Sequence, residues 1–391
     1  MDRIYLDHAA NTPMVSAAIE AMTAELTRFG NASSLHGSGR AARRVVEESR
    51  EAIASSVGAR PSEVVFTSGG TEADNLAVKG AFWAARANGG GRNHLVSSTI
   101  EHHAVLDTLG WLAAAEGADV TLVGVDSAGR IAVEDLKAAV RPSTALVSVI
   151  WANNEVGTLQ PLPQIAALAT EVGARSHSDA VQAVGHVPVD FAASGLDTLS
   201  FTAHKLGGPY GVGALLAKRE VRLTSLLHGG GQERDMRSGT LDVAAIAGFA
   251  AAVMEAVSQQ AAEERRVRAL RSRLVRGVHD LVPESVLNGT TEPSESLPGV
   301  VNLAFPGCEA DSMLLLLDAA GIDCSTGSAC AAGIAQPSHV LSAMGRSDAD
   351  ARSSLRFSLG HSSTIDDVDS LLAALSEAVT RARAAGALSR G

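Results

Sequence analysis

The sequence predicts an α/β protein: a mostly parallel central sheet with helices on both faces, accompanied by a smaller α+β unit. Three observations carry this. Between residues 64 and 217 short β-branched runs alternate with longer helical patterns, the rhythm of strands buried on both sides by crossover helices. One helical pattern then runs from 243 to 281. Beyond it a new strand, 300–305, opens a section with its own mixture of elements.

The strand candidates are residues 64–67, 95–98, 120–123, 146–150, 198–201 and 212–216, short runs drawn mainly from Val, Leu, Ile, Phe and Thr. Helices are placed between them at 72–87, 103–116, 133–139 and 162–172, where apolar residues recur at three- and four-residue intervals. In the long helix after them, Glu263, Glu264, Arg265 and Arg266 mark a solvated face. No internal repeat is visible.

Composition narrows the partners. The 391 residues are 46% hydrophobic and 19% charged, enough for a sizeable core. Lys and Arg total 32 against 43 Asp and Glu, a formal charge of -11, the wrong sign for neutralising a nucleic-acid backbone. The three cysteines, Cys308, Cys324 and Cys330, form no CxxC pair. That argues against a zinc or dithiol site and for a reducing compartment. The chain runs straight into Leu6-Asp7-His8 without a basic segment and long apolar stretch, so a cytoplasmic protein with no membrane association is expected.

Only four lysines exist, Lys79, Lys137, Lys205 and Lys218. Lys205 stands apart, just past a strand and among small and glycine residues, where open α/β sheets place ligands. The segment from Phe66 to Asn75 passes from strand through Gly69 and Gly70 into a helix, which turns free amide N–H groups toward an anion without a Walker lysine. Asp179, between that turn and Lys205, would serve as a helix cap if it stood alone. As one of a set it supplies the acid that pairs with a protonated heteroaromatic nitrogen. A phosphate cradle, an acid and a lysine at successive strand ends are the parts needed for pyridoxal 5'-phosphate. Cys330 lies in a small, polar stretch without periodicity, the setting of a reactive thiol rather than a structural one. Adjacent His102 and His103 seldom direct both rings to one ion and no HExxH motif joins them, so no metal is expected; one of them can stack on a cofactor and carry protons.

At this point the sequence resembles the group I, NifS/IscS-like cysteine desulfurases among the class V aminotransferase-type enzymes of pyridoxal-phosphate fold type I. The resemblance runs through Tyr5-Leu-Asp-His-Ala-Ala-Asn-Thr-Pro13, Thr67-Ser-Gly-Gly-Thr-Glu-Ala-Asp-Asn75, Glu101-His102, Ala152-Asn-Asn-Glu-Val-Gly157, Ser178-Asp-Ala-Val-Gln182 and Ala203-His-Lys205. It continues through His228-Gly-Gly-Gly-Gln-Glu233, Arg237-Ser-Gly-Thr240, Gly327-Ser-Ala-Cys330 and Leu355-Arg-Phe-Ser-Leu-Gly360. It implies that Lys205 holds the cofactor covalently, that Asp179 holds the ring-nitrogen proton, that His102 stacks on the ring and that Gln182 contacts its phenolate oxygen. Gly70, Thr71, Thr202 and His204 would hold the phosphate, with Thr240 reaching the phosphate of a neighbouring subunit in a homodimer. Asn154 and Arg356 would bind the substrate carboxylate. Two residues depart from the family pattern: Gly70 for the usual alanine and His8 for the usual tyrosine.

The implied activity converts L-cysteine to L-alanine through a ketimine of the cofactor and a persulfide on Cys330. The sulfur would pass to an iron-sulfur scaffold protein or a tRNA-thiolation carrier. The resemblance places a large domain at 16–258, and a small domain at 1–15 and 259–391 carrying the cysteine loop. A transaminase of the same fold would not need Cys330, a selenocysteine lyase can release selenium without a protein thiol, and a silent docking platform would not need Lys205 and Asp179 intact.

Overall fold

A computed structural model of the chain describes residues 3–87, 91–327 and 337–388. In chain order the elements are β1 (Ile4–Tyr5), α1 (Ser16–Leu26), α2 (Gly37–Ser56), β2 (Val64–Thr67), α3 (Gly70–Ala87), β3 (His94–Ser98), α4 (His103–Glu116), β4 (Asp119–Val123), α5 (Val133–Ala139), β5 (Thr144–Ser148) and α6 (Leu162–Glu171). They continue with β6 (Arg175–Asp179), α7 (Phe191–Ser194), β7 (Thr198–Thr202), β8 (Gly213–Ala217), α8 (Val243–Leu281), β9 (Val286–Asn288), β10 (Val300–Ala304) and α9 (Ala310–Ala319). The last are β11 (Ile322–Asp323), α10 (His339–Ala343), α11 (Asp348–Arg352), β12 (Ser354–Ser358) and α12 (Ile365–Leu388).

Seven strands form one sheet in the order β2-β8-β7-β6-β5-β3-β4. Every pairing from β4 to β7 is parallel, and β8 runs antiparallel to both β7 and β2. β2, β3, β5, β7 and β8 are buried along their whole length, which is why apolar and small residues fill them without alternation. β6 departs from the expected set of strands. Its sequence, Arg175-Ser-His-Ser-Asp179, offers no hydrophobic signal, yet four of its five residues are buried. Hydrogen bonds meet that burial: Ser178 Oγ donates to the Val149 carbonyl at 2.7 Å, and His177 Nδ1 lies 3.0 Å from Thr198 Oγ1.

α8 begins and ends where the sequence pattern does. It belongs to two cores: Ala252 and Val253 pack with the large sheet's helices, while Val267, Leu270, Leu274 and Val278 pack with β10, β12 and α12. The same helix is long and apolar enough, by composition, to cross a membrane, and most of its buried apolar residues lie in these two cores. The carboxyl-terminal section holds a three-stranded antiparallel sheet, β12-β10-β9, and the parallel pair β1-β11. Asp7 bridges to Ser358, which carries the amino-terminal segment, with Ala9 and Ala10, onto the ends of β6 and β7. That is the carboxyl edge of the parallel strands, where α/β sheets bind ligands.

Candidate active site

A cavity of about 410 Å³ opens at this edge. Its anion end is built by the turn from β2 into α3. The helix starts at Gly70, leaving its first amide N–H groups without partners inside the helix. The turn closes because β8 starts with glycine: a β-carbon on Gly213 would lie 2.8 Å from both Gly69 Cα and the Phe201 carbonyl. Thr71 lines the cavity here, and Thr202, at the end of β7, donates its hydroxyl to the Val212 carbonyl at 3.1 Å. His204 Nδ1 sits 3.2 Å from Asn11 Oδ1, and its ring stacks on Tyr210 at 5.7 Å. Burial, with the charge of Lys205 added, lowers His204 to about 4, so it offers a neutral imidazole.

The floor is acidic. Asp179 ends β6, is 3% exposed, and accepts the Val181 amide at 2.9 Å on Oδ1. Burial pushes it up to about 7, the charge of Asp74 pushes the same way, and His102 opposes. Asp74, on α3, is fully buried and raised to about 7 by burial, against the short hydrogen bond from the Ser200 hydroxyl. Glu101, also fully buried, accepts the Ile150 amide at 2.9 Å and the Ser98 hydroxyl, and burial lifts it to about 8.

His102 caps α4: its Nδ1 accepts the Ala104 amide at 3.1 Å, so a neutral ring carries its proton on Nε2. Burial, joined by the charge of Lys205, keeps it below the usual histidine range against the pull of Asp179. Lys205 Nζ donates to the carbonyls of Ala9 and Ala10, each at 2.6 Å. Burial, then the charge of Arg356, lowers Lys205 to about 8, while Asp7 and Asp179 resist. Gln182 Nε2 donates to the same Ala9 carbonyl at 2.9 Å.

Opposite the floor, Arg356 projects from β12. Its Nη1 donates to the Asn154 carbonyl at 3.0 Å and its Nη2 to Asp7 Oδ1 at 2.8 Å, while Nε is buried without a partner. A guanidinium 4% exposed and fixed on two sides, with Asn154 beside it, is a fork for a carboxylate.

Of the residues expected from sequence, Gly70, Thr71, His102, Asn154, Asp179, Gln182, Thr202, His204, Lys205 and Arg356 line this single cavity. Thr240 is exposed and does not line it; its expected place is a second subunit's site. Cys330 lies outside the described residues. The sequence reading passed over Asp74, although it shares one stripe of α3 with Ala77, Val78 and Ala81, all buried, and a lone acid on such a stripe is a usable signal. It also passed over the backbone carbonyls of Ala9 and Ala10, which no side-chain motif can reveal. Among the described residues no cluster of His, Cys, Asp and Glu has metal-binding geometry.

Residues 4–371 match the family model described as aminotransferase class-V. The chain is 55% identical, over 99% of its own length and 99% of the relative's, to an IscS-like cysteine desulfurase of Mycobacterium tuberculosis. Its fold superposes on a solved NifS-like protein with a TM-score of 0.90 at 34% identity, covering 97% of this chain and 100% of the other. It also superposes on a structure described as SspA in complex with cysteine, with a TM-score of 0.78 and 34% identity over 91% of this chain and 98% of that one.

Proposed function

The chain belongs to the class V aminotransferase family and, within it, to the IscS- and NifS-like cysteine desulfurases, and from this premise we propose how its own residues remove sulfur from L-cysteine and leave L-alanine. The family is pyridoxal-phosphate-dependent, and this site fits that group: an anion-binding helix start, a buried acid and a depressed lysine face one cavity of suitable chemistry. That convergence is the observation that carries the reading.

Gly70, Thr71, Thr202 and His204 would hold the phosphate, Lys205 would bond the aldehyde carbon, and Gln182 would face the ring oxygen. When bound, the cofactor supplies an electron sink for the charge left at the substrate Cα. Asp179 would hold a proton at the ring nitrogen, and its burial would exclude the water that weakens such a pairing. Arg356 and Asn154 bind the substrate carboxylate and orient the Cα–H bond toward Lys205. Once freed, Lys205 Nζ, lowered toward neutrality, takes the Cα proton and returns it. His102, with its proton on Nε2, would stack on the ring and would carry a proton to or from the reacting groups. Cys330, as thiolate, attacks the substrate sulfur; the C–S bond breaks, its electron pair stays with the substrate carbon, which takes up at Cβ a proton equivalent to the one the thiol gave up, and an S–S bond forms on the enzyme.

We further propose a homodimer in which Thr240 completes the partner's phosphate site, delivery of the persulfide sulfur to an iron-sulfur scaffold protein or a tRNA-thiolation carrier, and a cytoplasmic location. The division into residues 16–258 and residues 1–15 with 259–391 belongs to the same proposal; the two cores bridged by α8 support it. The test is an absorbance spectrum of the purified protein, followed by alanine and sulfide assays with L-cysteine and a reductant. A colourless protein that pyridoxal phosphate cannot reconstitute would refute this reading.

A further inference from the structure

Asp74 lines the cavity with a side chain that has no exposed surface, and the chemistry above gives it no part. Its Oδ1 accepts the Ser200 hydroxyl and stands 3.3 Å from His177 Nε2, while Oδ2 is buried without a partner. Both groups that hold it flank Asp179. Ser200 is the cross-strand partner of Asp179, and His177 lies two residues before Asp179 on the same face of β6.

Two buried carboxyl groups this closely linked cannot both ionise in a water-poor site unless cations compensate them. None does so for Asp74. His177 is lowered to about 4 by burial and His102 is held below its usual range, so both are neutral near pH 7. Glu101 is lifted to about 8 and adds repulsion when ionised. The pocket's cations, Lys205 and Arg356, direct their hydrogen bonds to the amino-terminal segment and to Asn154.

We infer that Asp74 and Asp179, coupled through Ser200 and His177, together hold one proton in the cofactor-free pocket, and that loading hands this proton to the ring nitrogen of pyridoxal phosphate. The O–H bond breaks at Asp179, the N–H bond forms on the ring, and no electrons change owner; Asp179 remains as the carboxylate facing the new cation. Asp74 is thus a positioning residue that acts through Asp179. The inference rests on the pyridoxal-phosphate reading. It also fits the rise of both aspartates to about 7.

The experiment is calorimetric titration of the cofactor-free full chain with pyridoxal phosphate at about pH 7 in buffers of different ionisation heat, which counts protons taken from solution. In Asp74→Asn the amide keeps a partner for Ser200, and Asp179 loses its repelling neighbour, so that with burial alone raising it a larger fraction is ionised before loading. That variant should draw up to about one more proton per site from the buffer than the wild type does. Proton exchange at Lys205 is common to both. Equal counts would overturn the inference while leaving the cofactor assignment intact, because a merely structural Asp74 changes affinity and not proton number. Should Asp74→Asn fail to fold or bind, the wild-type infrared difference spectrum decides: loading must abolish a protonated-carboxyl C=O band, and its persistence sinks the shared proton. Wild type that binds no pyridoxal phosphate at all would overturn the cofactor reading and the inference together.

Discussion

Gly70 and Val181 occupy one volume: a β-carbon on Gly70 would lie 2.8 Å from Val181 Cγ2. The missing methyl at the start of α3 is filled by a methyl from the loop after β6, so this departure from the usual family alanine has a steric counterpart. Gly70→Ala should therefore destabilise by about 1–3 kcal/mol through overpacking and weaken cofactor binding. Adding Val181→Ala should recover most of that loss. Thermal unfolding and cofactor titration of the two single variants and the double variant measure the coupling; simple additivity would show that the two side chains do not compete.

The Lys205 amine gives a pH signature. Only the unprotonated amine attacks an aldehyde, and burial with the charge of Arg356 brings Lys205 down to about 8. Capture of pyridoxal phosphate by cofactor-free protein should accelerate roughly tenfold per pH unit below that value and level off above it. Stopped-flow absorbance follows the reaction. Lys205→Arg, charged at every accessible pH, should bind the cofactor without covalent capture. A rate that stays flat across the range would mean another step controls loading.

Arg356 and Asp7 should separate binding from chemistry. Arg356→Lys removes the planar fork and should raise KM for L-cysteine by about 10–100-fold with a smaller change in kcat. Asp7→Asn keeps a hydrogen-bond acceptor for Nη2 at 2.8 Å but loses the charge, so its effect should be the milder of the two. Steady-state alanine formation reads both. If kcat falls as far as kcat/KM in Arg356→Lys, the guanidinium acts in the chemical step instead.

Most of the fold and the chemistry at the strand ends were legible because they rest on local signals. Val64–Thr67 announces a buried strand by composition, and the Gly69-Gly70 turn announces a helix start. Arg175–Asp179 is not legible as a strand because its burial is met by hydrogen bonds to Val149, just past β5, and to Thr198 of β7, and partners distant in sequence leave no periodic trace. α1 and α2 went unassigned for a related reason: α1 has only Ala18 fully buried, and α2 packs small residues such as Gly39 and Ala42 inward. The Ala9 and Ala10 carbonyls reach Lys205 only through the pairing of the amino terminus with β11 and β12, a relationship of topology.

The loop before α8 is held by a buried charge pair. Arg50 Nη2 donates to Glu233 Oε1 at 2.7 Å, and Glu233 Oε2 accepts the Phe66 amide at 2.7 Å. This fixes three consecutive non-glycine residues, Glu233, Arg234 and Asp235, at φ of 44°, 60° and 60°. Such residues resist that conformation, so the anchor opposes local strain. Glu233→Ala leaves Arg50 with only the exposed Glu47 at 3.2 Å and the Val64 carbonyl, strips the Phe66 amide of its acceptor, and should cost about 2–4 kcal/mol, seen as a lower midpoint in denaturant unfolding. Because the same loop leads to Thr240, cofactor affinity should fall as well. A variant with unchanged stability would show that the pair is not what imposes the turn.

Cys330 carries the part of the proposal that distinguishes sulfur removal from other reactions of the same cofactor. A transamination needs Lys205 and Asp179 alone, whereas a persulfide requires a protein thiol. Cys330→Ser should therefore keep its visible cofactor band and still shift it on adding L-cysteine, since Arg356, Asn154 and Lys205 are intact. Alanine production should drop at least about 100-fold, an effect in kcat because the missing group acts on the substrate sulfur after binding. The other two cysteines offer no substitute: Cys308 is buried and raised by burial, and Cys324 is pushed up to about 12 by burial and the charge of Asp7. Selenocysteine separates the remaining alternative. If Cys330→Ser keeps full turnover with it while losing cysteine turnover, selenium leaves without a thiol acceptor and only the sulfur reaction needs Cys330. Near-normal alanine formation from L-cysteine would remove Cys330 from the mechanism altogether.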